Sequence, residues 1–164
     1  MSPYFFEFHS VWHIPADLIT VWNHIGGVSS MPTWWPSIKA VRVLQGPEIP
    51  VTIGTKAQYV VHAPLYALTY ETEVIEVETG KRILARSQGD LSGTGCWTFK
   101  EGAGDVQVAF EWRVEITPPW LKVASRLPLA RPIMRYFHNR VMQQGEAGLK
   151  QLIAQEVTPA TEVV

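Results

Sequence analysis

The sequence predicts an α+β domain: a seven-stranded antiparallel sheet with a long C-terminal helix laid over one face, and two short helices after the first strand. Three observations predict it. From about residue 39 to residue 117 apolar and polar side chains alternate with a period of two, interrupted by turn signals. A segment of the same kind, residues 4–13, comes first. After "TPPW" the apolar spacing lengthens to three and four residues over about 131–154, the mark of an amphipathic helix.

Each element follows from its residues. In the first strand Phe6, Phe8, Ser10 and Trp12 share one side. "IPADLITVWNHIGG" reads as helix, with Pro15 suited to a first helical position and Asp17 to the positive end of the helix dipole. Leu18, Val21, Trp22 and Ile25 make its apolar stripe, and Gly26-Gly27 end it. "MPTWWPS" is a short helical or turn piece pinned by Pro32 and Pro36. Strands are predicted at 39–45, 55–62, 67–78, 82–88, 91–100 and 105–117, separated by "QGPEIPVTIG", "HAPLY", "ETGK" and "EGAGD". The last is the clearest: Val106, Val108, Phe110, Trp112, Val114 and Ile116 form a dry face, with Gln107, Glu111, Arg113 and Glu115 opposite. A helical piece over 120–126 follows. Pro128 and Pro132 interrupt the pattern before the long helix, on which Met134, Phe137, Val141, Gly145, Gly148 and Leu152 recur. His138, Met142, Leu149 and Ile153 widen that stripe. The stretch 1–154 reads as one domain and 155–164 as a flexible tail.

Composition narrows the function. Fourteen Lys and Arg against 15 Asp and Glu leave a net charge of -1, without the basic excess of a nucleic-acid binder. One cysteine, Cys96, allows no internal disulfide and suits a reducing cytoplasm. The N-terminus lacks a signal-peptide pattern, and no apolar run approaches the roughly 20 residues of a spanning helix, so stable membrane insertion is not expected. His9, His13, His24 and His62 show no metal-ligand spacing, so neither metal nor other cofactor is expected. Oligomeric state leaves no signal.

"GDLSGTGCW", residues 89–97, holds three glycines at close spacing and raises the question of a phosphate loop. Such a loop needs a helix after it, whose N-terminal amides meet the anion. Here a strand follows. The glycines are therefore read as mechanical: Gly93, Gly95 and Trp97 share one strand face, where missing side chains permit bending and close approach of a helix.

The order of elements, with "WWP" after the first helices, "GDLSGTGCW", "VAFEWRV", and "LARPIMRYFHNRVMQQGEAGLKQLI" at the end, resembles the polyketide cyclase/dehydrase branch of the START-like (Bet v 1-like) superfamily over residues 4–154. The resemblance implies a helix-grip fold, a curved sheet wrapped around the C-terminal helix with a deep cavity for a hydrophobic small molecule between them. In some members the cavity cyclises or dehydrates a polyketide; in others it carries lipid, sterol or hormone. The chain departs from the pattern at Cys96 and Phe137, where closer relatives carry more polar residues.

Within that frame the expected ligand-contacting set is Trp34, Trp35, Tyr59, Tyr70, Trp97 and Trp112. The long helix adds Met134, Phe137, His138, Val141 and Met142. Aromatic rings with polar tips suit an amphipathic pocket, and methionine adapts to irregular ligands. His138, on the apolar helix face, is the candidate catalytic residue, set against its ordinary role as a flank histidine. Tyr59 and Tyr70 read as wall rather than acid. Glu71, Glu73, Glu111 and Glu115 read as solvated charge, Asp90 as a turn residue, and Cys96 as facing away from the cavity. Binding of a lipid-like or polyketide-like molecule is the first function expected; a cyclase or dehydratase is the alternative, and a protein-interaction module a third.

Overall fold

The computed structural model describes residues 2–157. Seven strands, β1 (Phe5–Ile14), β2 (Ile38–Gln45), β3 (Lys56–Ala63), β4 (Tyr66–Glu78), β5 (Arg82–Gly89), β6 (Leu91–Glu101) and β7 (Val106–Ile116), form one antiparallel sheet in the order β1-β7-β6-β5-β4-β3-β2. After β1 come α1 (Leu18–Gly26), a 3-10 turn (Val28–Ser30) and α2 (Met31–Trp34); after β7 come α3 (Pro119–Ser125) and α4 (Ala130–Val157). This is the helix-grip arrangement.

Local chemistry sets the boundaries. The first helix starts three residues after Pro15, because Asp17 acts as N-cap rather than as a first-turn acid. Its carboxylate accepts from the Thr20 amide and hydroxyl, which satisfies an orphan donor that Pro15 could not. Gly27 caps the other end. α4 runs through Val157, so residues 155–157 of the segment read as tail are helical; the rest lies outside the described residues.

The glycine stretch behaves differently from its reading. Pairing of β6 with both neighbours is regular from Gly93 to Thr98, and the register irregularities fall in β2 and β4, at Ile38/Ala40, Val43/Gln45 and Val74/Glu76. Bulges on those strands bend the sheet. A Cβ on Gly93 would meet the Arg113 carbonyl oxygen at 1.9 Å, in the plane of the sheet rather than the interior. Only Gly95 opens inward, and it makes room for the Phe110 and Trp112 rings of β7, not for a helix. Close approach to a helix occurs instead on α4 itself. A Cβ on Gly145 would lie 2.5 Å from the Trp35 ring and 2.9 Å from Trp12, and one on Gly148 would lie 1.7 Å from the Trp34 carbonyl oxygen.

The core has two parts. The larger joins Trp12, Trp22, Trp34, Trp35, Leu149 and their neighbours; the smaller gathers Phe6, Leu68, Leu91, Val114, Ile116 and Leu121. On β7 the dry face is fully buried at both ends, at Val106, Val108, Val114 and Ile116, but only half-buried at Phe110 and Trp112 between them. Those two rings border empty space.

Candidate functional site

That space is a cavity of about 130 Å³ between the sheet and α4. Volume of this order holds a single aromatic ring when the lining is apolar. Strand parity builds the walls. Tyr59 of β3 and Tyr70 of β4 are cross-strand partners and stack, with centroids 5.4 Å apart and planes 12° apart. Trp97 of β6 stacks on Phe110 of β7 at 4.2 Å, and Tyr70 meets Trp112 at 5.5 Å. Trp35 closes the side toward α2. Its indole N–H donates to the Val141 carbonyl of α4 at 2.8 Å, which fixes the ring as wall. Val141, Met142 and His138 supply the helix side.

No Asp, Glu, Lys or Arg reaches this lining. Its polar groups are few and partly spent: Thr55 donates to the Pro47 carbonyl at 2.7 Å, Ser87 to the Leu91 carbonyl at 2.6 Å, and Tyr59 is hydrogen-bonded to Thr72. Burial pushes both tyrosine hydroxyls well above their ordinary range, so both stay protonated. His138 Nε2 lacks a hydrogen-bond partner, as do the indole nitrogens of Trp12 and Trp34 in the core. The His138 ring stacks on Phe8 at 4.0 Å and leans on Trp112 at 5.9 Å, and its Nε2 is buried. Burial, and then the positive charge of Arg135, lower its pKa to about 4, so the imidazole is neutral near pH 7.

A second, smaller chamber of about 60 Å³ adjoins the first, and Val61, Trp112, His138 and Val141 border both. Met134 and Phe137 line this second chamber, not the main one, with Tyr66 and Leu121. Of the predicted ligand-contacting residues, Trp35, Tyr59, Tyr70, Trp97, Trp112, His138, Val141 and Met142 therefore meet at the main cavity. Trp34 does not. It stacks on the far side of Trp35 at 5.5 Å and faces a surface groove with Pro32, Pro36 and Gly148. Adjacent aromatics on a short helix cannot both face one way, and the Trp35–Val141 bond decides which turns in. Sequence reasoning missed Phe110, Thr72, Ser87 and Ile83 as lining. Parity was the available signal, since Thr72 shares its strand face with Tyr70, and Phe110 with Trp112. Cys96 lies on the outer face, where Arg82 Nε donates to its sulfur at 3.3 Å. Among the described residues no three metal-ligating side chains gather.

No curated protein matches the chain. TTHA0849 of Thermus thermophilus is similar in structure at 17% identity and TM-score 0.73, over 93% of this chain and 99% of that one. The Zhui aromatase/cyclase of Streptomyces sp. R1128 is similar at 13% identity and TM-score 0.74, over 97% and 99%. A START superfamily protein of Mycobacterium smegmatis aligns at 15% identity and TM-score 0.71, over 92% and 99%. These likenesses give the fold. The family model for polyketide cyclase/dehydrase and lipid transport proteins matches residues 6–154. That match, over most of the chain, places it in the polyketide cyclase/dehydrase and lipid transport family.

Proposed function

We propose that the protein binds an uncharged hydrophobic or aromatic small molecule, of lipid or polyketide character, in the interior cavity and does no chemistry on it. One observation carries this reading: the lining is a ring of aromatic side chains without a single charged group. A charged ligand would lose its hydration there without gaining a partner. A flat or flexible apolar one gains contact with Tyr70, Trp97 and Trp112 on the sheet side and Met142 on the helix side.

A second reading, cyclisation or dehydration in the same cavity, draws on the unpartnered His138 Nε2 and on the aromatase/cyclase among the structural relatives. Proton abstraction works best when the base has a pKa near the working pH, and a histidine at about 4 is a weak base. That favours binding. Native mass spectrometry of the purified protein, with extraction of whatever it carries, tests the pair. Binding predicts that an incubated ligand is recovered with unchanged mass and unchanged chromatographic retention; recovery of an isomer of altered retention, or of a product lighter by one water, would move the assignment to the enzyme.

A further inference from the structure

We propose that the α3–α4 end of the molecule is a docking surface for anionic lipid bilayers. Trp120, Val123, Leu127, Leu129, Ile133 and Tyr136 are all exposed. With Leu65 at the tip of the β3–β4 turn they make seven of the thirteen large apolar side chains exposed among the described residues. They are joined through half-buried rings: Tyr66 meets Trp120 at 6.4 Å and Phe137 at 6.0 Å, and Phe137 meets Tyr136 at 6.0 Å. An apolar patch this concentrated marks an interaction site.

Charge identifies the partner. The stretch 116–145, which holds α3 and the first half of α4, contains five of the chain's 14 Lys and Arg and none of its 15 Asp and Glu. The rest of the chain is therefore net acidic. Lys122, Arg126, Arg131 and Arg135 flank the apolar residues on the side of β1, where Lys122 and Arg126 lie over the Tyr4 ring at 5.0 and 5.4 Å. Exposed Arg140 continues the Ile133–Tyr136 stripe along α4. Protruding apolar tips flanked by cations, of which Arg131 and Arg135 are braced on the carbonyls of Pro3, Phe5 and Glu7, fit a layer of acyl chains beneath anionic headgroups. The core of a protein interface is instead depleted in charge.

Backbone conformation gives an independent sign. Leu129 has φ +68°, the left-handed region that glycine or asparagine usually fills. It is 72% exposed there, so no folded-state packing compensates the strain. A strained apolar residue aimed into solvent is accounted for when its burial occurs in a second phase. The smaller chamber lies directly beneath, since its lining residues Tyr66, Leu121, Met134 and Phe137 are each adjacent in sequence to patch members.

Vesicle co-sedimentation of the full chain tests this, using phosphatidylcholine alone and phosphatidylcholine with about one third phosphatidylserine. Binding is expected to the mixed vesicles only, and to weaken in high salt. Leu129→Gly relieves the backbone strain, so it should melt no lower than the parent while binding about fivefold more weakly. Lys122→Gln with Arg140→Gln should weaken binding at least about tenfold, since each cation near such a surface contributes about fivefold. Absence of sedimentation with phosphatidylserine vesicles overturns the proposal, as does binding that neither variant changes. Concentration-dependent self-association that Leu129→Gly abolishes, without vesicle binding, would reassign the patch to a protein interface. The cavity reading is tested separately, because vesicle binding requires no ligand.

Discussion

The two halves of α4 differ more than any two elements of the fold. Toward its C-terminal end Met142, Gly145, Leu149 and Ile153 are buried, and the helix backbone is pressed against Trp12, Trp34 and Trp35. Toward its N-terminal end no residue is buried; Met134, Phe137 and His138 are half-buried against chambers, and Ile133 and Tyr136 face outward. One half anchors the helix across the sheet, and the other borders empty space. The division teaches how a small domain keeps a cavity without collapsing around it: the helix is held at one end by backbone-level contact, which leaves the other end free to stand off the sheet. Interiors otherwise close-pack.

Breaking the anchor should have the largest effect. Gly148→Ala places a methyl where the Trp34 carbonyl oxygen already sits, so α4 and α2 must separate. The expected loss is about 3 kcal/mol or more, the upper end of overpacking costs, read from urea denaturation. A change under about 1 kcal/mol would mean that the helix is not seated at this point.

Next comes the cavity half, through pH. His138 is held near pKa 4 when folded, against an ordinary value near 6.5 in the unfolded chain. The unfolded state therefore takes up the proton first as pH falls. His138 costs nothing above about pH 6.5, and its cost grows as pH drops to about 4, reaching about 2–3 kcal/mol. His138→Phe, which keeps a ring on Phe8 and Trp112, should lose less stability between pH 7 and pH 4 than the parent, by about that amount. Parallel curves for the two proteins would show that the imidazole is not desolvated.

The smallest effect sharpens the comparison from the sheet side. Gly95→Val presses on the Phe110 ring, which a Cβ would meet at 3.2 Å, but the ring borders space into which it can yield. A cost of about 1–2 kcal/mol is expected, below that of Gly148→Ala, with reduced ligand capacity. Thr94→Val, on the outer face, should stay within about 0.5 kcal/mol of the parent. A Gly95→Val protein as stable as this control would show that the interior there is not packed.

Much of this was legible in the sequence where periodicity carries it. The alternation on β7 and the three- and four-residue spacing on α4 placed most of the lining, because parity and helical phase are local properties. What escaped depends on partners distant in the chain. Trp34 and Trp35 are adjacent and chemically identical; only the Val141 carbonyl, 106 residues away in sequence from the Trp35 indole, separates wall from anchor. Gly93 and Gly95 share parity on β6, yet the backbone twist at Gly93, with φ +157°, turns its missing side chain toward β7 rather than inward. Curvature came from bulges in β2 and β4, and a bulge is a mismatch between two strands, visible in neither alone.

The central claim is that an apolar ligand enters the interior among Tyr70, Trp97 and Trp112. Seven tryptophans give seven indole N–H resonances, at depths that span the molecule. Titrating the ¹⁵N-labelled protein with phenol, 2-naphthol and a medium-chain fatty alcohol should shift the signals of Trp35, Trp97 and Trp112 saturably for at least one of them, and leave Trp22, which packs against Phe99 outside the lining, unmoved. Shifts confined to exposed Trp120, or no saturable shift with any of the three, would contradict the account.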